Sequence, residues 1–152
     1  MSIKNEDVLN VMSPQMGLFG LLFAFMNRLQ AAQDAFYEEI TCKQFFLMIC
    51  LRLFENGAPT INELSEVMGS SHQNVKQILL KLESKDFVSM VPDENDKRKQ
   101  RIVLTKKCIR FCEKNDEQSK TIIWKIFDGI DEKQLGNAIK TIMQMERNIS
   151  EL

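Results

Sequence analysis

Two segments of helical periodicity meet at Gly69 with only a few residues between them. The stretch "TINE" (Thr60–Glu63) fits a capping box, in which side chains of both end residues satisfy free backbone amides at a helix start. The stretch "SSHQ" (Ser70–Gln73) fits another and opens a helix over residues 71–84. Because Gly favours the left-handed backbone that ends a helix, the pattern predicts two helices joined by a tight turn, a helix-turn-helix.

A β-hairpin is predicted directly after this unit. The short apolar runs Phe87–Val91 and Arg101–Leu104 are strand candidates, and Pro92 and a charged loop separate them. The stretch 97–107 contains no acid and six cations: Lys97, Arg98, Lys99, Arg101, Lys106 and Lys107. A helix-turn-helix followed by a hairpin is the winged-helix arrangement, so this loop is the predicted tip of the wing.

Longer helices are predicted on both sides. The first runs from Pro14 to Glu39 and is apolar over so much of its surface that it needs cover on several sides, which indicates a partner subunit. A capping box at Thr41–Gln44 opens a nearly all-apolar central helix that ends at Asn56–Gly57. A further helix follows from Thr105 to about Phe127, and Asp131 caps the last one. The expected fold class is mainly α with a small β-hairpin.

Overall composition sets limits on function. The net charge of −1 and pI of about 5.9 do not indicate a nucleic-acid binder, so such a role requires a local basic patch. The apolar run Met16–Met26 is too short to span a bilayer, and we expect no membrane partner. Four cysteines are too few for a disulfide scaffold and favour a reducing, cytoplasmic location.

The second helix of the helix-turn-helix and the wing carry the chemistry expected of a DNA contact. Asn and Gln pair with adenine edges, Lys reaches guanine or phosphate, and a flexible basic tip lies along phosphates or enters the minor groove. Each segment alone is more typical of a solvated helix face or a solvated loop, but their adjacency favours DNA. The candidate DNA-binding residues are Ser71, His72, Gln73, Asn74, Lys76, Gln77, Lys81, Lys97, Arg98, Lys99 and Arg101.

Residues 40–107 resemble the MarR family of transcription regulators. "ITCKQFFLMICL" is similar to the helix that leads into that family's DNA-binding unit, and "INELSEVMGSSHQNVKQILLKLESKDFV" to its helix-turn-helix. "DKRKQRIVLT" matches the wing pattern through Asp96, Arg98, Leu104 and Thr105. The sequence departs from the pattern at Asp86, where the family often has Gly, and at Lys97, where it often has Arg.

The resemblance implies a winged helix-turn-helix flanked by dimerisation helices within one compact domain. Residues 1–40 would hold the N-terminal dimerisation helix, 41–107 the DNA-binding unit and 108–152 the C-terminal dimerisation helices. It implies a homodimer that represses transcription from near-palindromic operators on double-stranded DNA, with release by a small apolar or aromatic effector. Arg98 would enter the minor groove, and Asp96 would brace the wing.

Other functions remain open at the level of sequence. Cys108 and Cys112 share a helix face and could sense redox state, although small buried side chains are the commoner fate of free cysteines. A metal site is not expected because His72 is the only histidine and no CxxC motif occurs. We also find no catalytic triad or phosphate-binding glycine loop, and expect neither an enzyme nor a cofactor. A winged helix used for protein contact is the remaining alternative.

Overall fold

The computed structural model describes residues 12–55 and 57–152. It has six helices and two strands in these ranges: α1 (Pro14–Asp34), α2 (Cys42–Leu51), α3 (Ile61–Met68), α4 (His72–Ser84), β1 (Val88–Pro92), β2 (Gln100–Leu104), α5 (Lys106–Ile126) and α6 (Glu132–Ser150). The chain divides into two compact units, residues 1–109 and 110–152. The first eleven residues of the predicted segment 1–40, and the predicted helix end at Asn56, lie outside the described residues.

The predicted helix-turn-helix is present as α3 and α4. The capping box of α3 is formed, with the Thr60 amide 2.6 Å from Glu63 Oε2 and the Glu63 amide 3.3 Å from Thr60 Oγ1. Gly69 ends α3 in the left-handed conformation, at φ 58°. The predicted capping box at Ser70 is wrong by one residue, because Ser71 is the N-cap and its hydroxyl accepts the Asn74 amide at 3.3 Å. Ser70 and Ser71 are both suitable N-cap residues, so the sequence alone did not decide which of them begins the helix.

The core of the first unit lies between α2, α3, α4 and the hairpin. Helix α4 buries one apolar stripe, Val75, Leu79 and Leu82, each fully removed from solvent. The facing elements contribute Leu47, Met48, Leu64, Phe87, Val88 and Ile102, all at most 2% exposed. Because one side of α4 is committed to this core, its opposite side is held facing solvent.

The predicted hairpin is confirmed. Strand β1 begins and ends one residue later than predicted, and β2 begins one residue earlier. Strands β1 and β2 pair antiparallel with Met90 opposite Ile102 and Pro92 opposite Gln100. Strand β2 is also attached to the segment between α2 and α3, since the Ile102 amide donates to the Pro59 carbonyl at 2.9 Å. The wing is therefore anchored to the helix-turn-helix by backbone hydrogen bonds and not only through its own chain.

The helices outside the helix-turn-helix occur in the predicted order, but α1 and α2 end earlier than predicted. Helix α1 ends at Asp34, five residues before the predicted end, and the Asp34 carboxylate instead accepts the Cys42 amide at the start of α2, at 2.6 Å. Helix α2 ends at Leu51. The predicted cap of the last helix is confirmed, because Asp131 and Gln134 form a complete capping box.

Asp86 adopts the left-handed backbone conformation, at φ 61°, just after α4. Hydrogen bonds from Phe87 N to Leu82 O and from Asp86 N to Glu83 O, both 2.9 Å, complete a Schellman motif. Residues with a Cβ lose energy in this conformation, while Gly loses more entropy on folding. We expect Asp86→Gly to raise the free energy of unfolding by about 0.5–1 kcal/mol in urea titrations. Asp86→Ala should lower it, and the reverse order would show that this turn is not strained.

Candidate nucleic-acid interface

The start of α3, the start of α4 and the wing border an open groove of about 570 Å³ in the first unit. Its lining residues are Thr60, Ile61, Asn62, Glu63, His72, Lys76, Lys97, Arg98, Lys99, Gln100 and Arg101. Six of the predicted DNA-binding residues line this groove, two from α4 and four from the hairpin. The fold therefore brings together two basic segments that are twenty or more positions apart in the chain.

The polar face of α4 is fully available. Every predicted contact residue of this helix is exposed: Ser71, His72, Gln73, Asn74, Lys76, Gln77 and Lys81. The buried stripe on the opposite side keeps these amides and lysines pointing outward. No acidic residue lies between Gly69 and Leu82, so nothing in this part of α4 repels phosphate.

The wing tip presents Lys97, Arg98 and Lys99, all exposed. The Arg98 side chain is 93% exposed, and its Nε lies 3.2 Å from Asp96 Oδ1. The same carboxylate oxygen accepts the Arg98 backbone amide at 3.1 Å. Exposed ion pairs of this kind add little stability. Their effect here is to limit the directions of the Arg98 side chain while leaving most of the guanidinium accessible.

The base of the wing is held by a second ion pair, Asp93 with Arg101. Arg101 Nε lies 2.5 Å from Asp93 Oδ2, and its Nη1 lies 3.0 Å from the Ala58 carbonyl and 3.4 Å from Glu63 Oε2. Asp93 is 8% exposed, and its other oxygen accepts the amides of Asn95 and Asp96. Arg101 was predicted to contact DNA. Its side chain does line the groove, but its guanidinium joins the wing to α3.

Hydrogen bonding keeps both acids around Arg101 ionised. The hydrogen bond from Arg101, followed by the backbone amides of Asp96 and Asn95, lowers the pKa of Asp93 to about 2. Hydrogen bonds from Thr60 lower the pKa of Glu63, with a smaller contribution from the charge of Arg101. Sequence reasoning did not identify Asp93 or Glu63, because only the hairpin register and the α2–α3 segment place them beside Arg101.

Most of the cysteine side chains are removed from solvent. Cys108 is fully buried and Cys112 is partly buried. Burial, followed by the charge of Asp34, raises the pKa of Cys42, and burial raises the pKa of Cys50. A thiol with a raised pKa holds its proton at neutral pH, which opposes reactivity. Across residues 12–55 and 57–152, no three His, Cys, Asp or Glu side chains are grouped as a metal site.

The described part of the chain contains no helix with the length and apolar character needed to cross a bilayer. This finding applies to α1 as well, although it carries the longest apolar run.

Comparisons with known proteins agree with the fold. Residues 40–99 match the model of the MarR family. A MarR/EmrR family transcriptional regulator from Acinetobacter sp. ADP1 has a TM-score of 0.80 at 14% identity, over 93% of this chain and 100% of that one. S. aureus MepR in complex with DNA has a TM-score of 0.76 at 18% identity, over 93% and 99%.

A third solved structure is an organohalide-sensing transcriptional regulator with bound 2,4-dichlorophenol. Its TM-score is 0.79 at 16% identity, over 91% of this chain and 83% of that one. No curated protein sequence matches the chain. The family match and these structures confirm the predicted winged-helix fold.

Proposed function

Because the chain carries a MarR-family winged-helix domain at residues 40–99, we propose that it is a DNA-binding transcriptional regulator that acts as a homodimeric repressor. The observation that carries this proposal is the groove shared by α4 and the wing. It places His72 and Lys76 opposite Lys97, Arg98 and Lys99. Such an arrangement suits a duplex, whose backbone can lie between a helix in the major groove and a basic wing.

In the proposed complex, α4 reads bases and the wing grips the backbone. Gln73, Asn74 and Gln77 are exposed amides that can pair with adenine edges, and Lys76 and Lys81 reach guanine or phosphate. Arg98 enters the adjacent minor groove, where the narrow spacing of phosphates strengthens the attraction for a guanidinium. The DNA complex of S. aureus MepR, a protein of similar fold, supports DNA as the partner.

Homodimerisation is proposed from the exposed apolar surface of three helices. Phe23 of α1, Trp124 of α5 and Ile149 of α6 are 63%, 74% and 65% exposed. Further exposed apolar residues on these helices are Phe19, Phe25, Met26, Ile139, Ile142 and Met143. Single exposed apolar residues are ordinary, but so many of them on these helices indicate that a partner covers each helix. A two-fold dimer would present paired copies of α4, which requires a near-palindromic operator.

A small apolar or aromatic effector is also proposed, acting by changing the separation of the two copies of α4. Phe46 and Ile49 give α2 an exposed apolar face on the DNA-binding unit, at 45% and 42% exposure. The 2,4-dichlorophenol-bound regulator of similar fold supports this class of ligand. We expect such a compound to lower the affinity for operator DNA, and a working location in the cytoplasm follows from the DNA partner.

Selection of bound duplexes from a genomic fragment library, followed by fluorescence anisotropy, tests the proposal. We expect the logarithm of the association constant to fall with the logarithm of salt concentration, with a slope of about −4 to −7 for a dimer using several cations per protomer. Sedimentation should give a dimer at the concentrations used. An affinity that does not change with salt would contradict DNA binding through the basic groove and favour a winged helix that contacts proteins.

A further inference from the structure

The C-terminal end of α4, opposite the end that lines the groove, is held by a lysine that contacts a distant segment. Lys85 follows the last residue of α4, and its Nζ lies 2.5 Å from the Glu39 carbonyl and 3.4 Å from Gln44 Oε1. Glu39 belongs to the segment between α1 and α2, and Gln44 to the first turn of α2. Lys85 therefore joins α4 to a part of the chain more than forty positions away.

The acceptor side of this contact is itself well ordered. Gln44 is 3% exposed, and its Oε1 also accepts the Thr41 amide at 3.1 Å as part of the α2 capping box. The next residue after Thr41 is Cys42, whose amide donates to Asp34 Oδ1 at 2.6 Å. Asp34 is the last residue of α1. Hydrogen bonds thus run from the end of α1 through the start of α2 to Lys85.

A second lysine holds the same end of α4 from another direction. Lys107, in the first turn of α5, donates from its Nζ to the Lys85 carbonyl at 2.8 Å. The same ammonium lies 4.7 Å from the ring centre of the fully buried Phe87. Two cations thus lie where the partial negative charge at the end of α4 favours them. Thr105 adds a hydroxyl donor to the Asp86 carbonyl at 2.6 Å.

We propose that Lys85 is a positioning residue for DNA binding, which sets the tilt of α4 relative to the α1–α2 segment and does not itself contact DNA. The inference rests on the proposed function. Helix α4 has 13 residues and is about 20 Å long, so a tilt of a few degrees at its C-terminal end moves its N-terminal contacts by about 1–2 Å. In a dimer, that displacement changes the separation of the two copies of α4, on which operator recognition depends.

The test compares Lys85→Met with the unchanged protein on a selected operator and on operators whose half-sites are moved one base pair closer or further apart. We expect affinity for the best operator to fall roughly three- to tenfold and discrimination between spacings to weaken. The dependence of affinity on salt should keep its slope, because no phosphate contact is lost. Lys85→Arg should retain most of the affinity, since it preserves a cationic donor. Lys114→Met, at an exposed lysine of α5, is the control for charge.

Three results would overturn the inference. Unchanged affinity and spacing preference in Lys85→Met would remove Lys85 from positioning. A salt slope smaller in magnitude by about one per protomer would make it a phosphate contact. A Lys85→Arg protein no better than Lys85→Met would show that the donated hydrogen bond is not the cause.

A measurement without DNA separates this inference from the proposed function. We expect Lys85→Met to accelerate amide hydrogen exchange in residues 39–44 and 82–87, with the midpoint of urea unfolding close to that of the unchanged protein. Exchange that stays the same in both segments would overturn the coupling even if the protein binds DNA. If the unchanged protein binds no DNA but the exchange result is obtained, the proposed function fails and the coupling of α4 to the α1–α2 segment stands.

Discussion

Replacing Arg98 by Ala is expected to weaken operator binding by about 30-fold or more in a dimer, because each protomer loses a contact of about 1 kcal/mol or more. The Arg98 side chain is 93% exposed, and its contacts to Asp96 lie within the tip of the wing. Folding should therefore be nearly unchanged. The salt slope should decrease in magnitude by about two per dimer if each Arg98 neutralises one phosphate.

Anisotropy titrations at several salt concentrations, together with urea unfolding, check this expectation. Arg52→Ala is the matched control, because it removes the same side chain and charge at an exposed position outside the groove. Arg98→Lys should recover only part of the affinity because an ammonium lacks the planar fork of the guanidinium. An Arg98→Ala protein that binds as tightly as the Arg52→Ala control would remove Arg98 from the interface.

Asp93→Asn is expected to weaken operator binding about tenfold although it removes a negative charge from a DNA-binding loop. Asp93 holds Arg101 beside the Ala58 carbonyl and Glu63, and Asp93→Asn removes the ion pair that is the shortest of the three Arg101 contacts. Net charge alone would predict tighter DNA binding by Asp93→Asn, since removing an acid reduces the repulsion of phosphate. Glu94→Gln, in the same loop and exposed, is the control and should bind DNA as well as or slightly better than the unchanged protein.

The salt dependence then decides between two roles for Arg101. If Arg101 only positions the wing, Arg101→Gln weakens binding without changing the salt slope, and combining it with Asp93→Asn adds little. A smaller slope in Arg101→Gln would show that its guanidinium neutralises a phosphate directly, as the sequence alone had indicated. Tighter binding by Asp93→Asn would show that the ion pair does not support the wing in its bound conformation.

The ion pair of Asp93 with Arg101 predicts that the stability of the protein depends on pH. The pKa of Asp93 is lowered in the folded protein from 3.8 to about 2. A carboxylate with a lowered pKa contributes stability that is complete above its unfolded pKa and is lost as the pH falls through its folded pKa. The difference in urea midpoint between the unchanged protein and Asp93→Asn should thus be constant from pH 7 to about pH 4 and shrink towards pH 2. A difference at pH 2 as large as the difference at pH 7 would contradict the ionic origin of the contact.

Local sequence patterns were sufficient for the elements of the DNA-binding unit. The capping box at Thr60, the helix cap at Asp131, the turn at Gly69 and the hairpin were all predicted, because each depends on residues within a few positions of one another. The same holds for the exposed polar face of α4, since helical periodicity separates it from the buried stripe. The winged-helix order follows directly from these elements.

Contacts between distant segments were decided by tertiary structure alone. Arg101 contacts Ala58, 43 positions away, and Lys85 contacts Glu39, 46 positions away. The residue types alone do not distinguish these two cations from the cations proposed to contact phosphate. Helix α1 ended early for the same reason, because Asp34 meets the Cys42 amide across a turn. Periodicity and capping act over one or two turns of chain, whereas the partner of a long cationic side chain is set by packing of the whole unit.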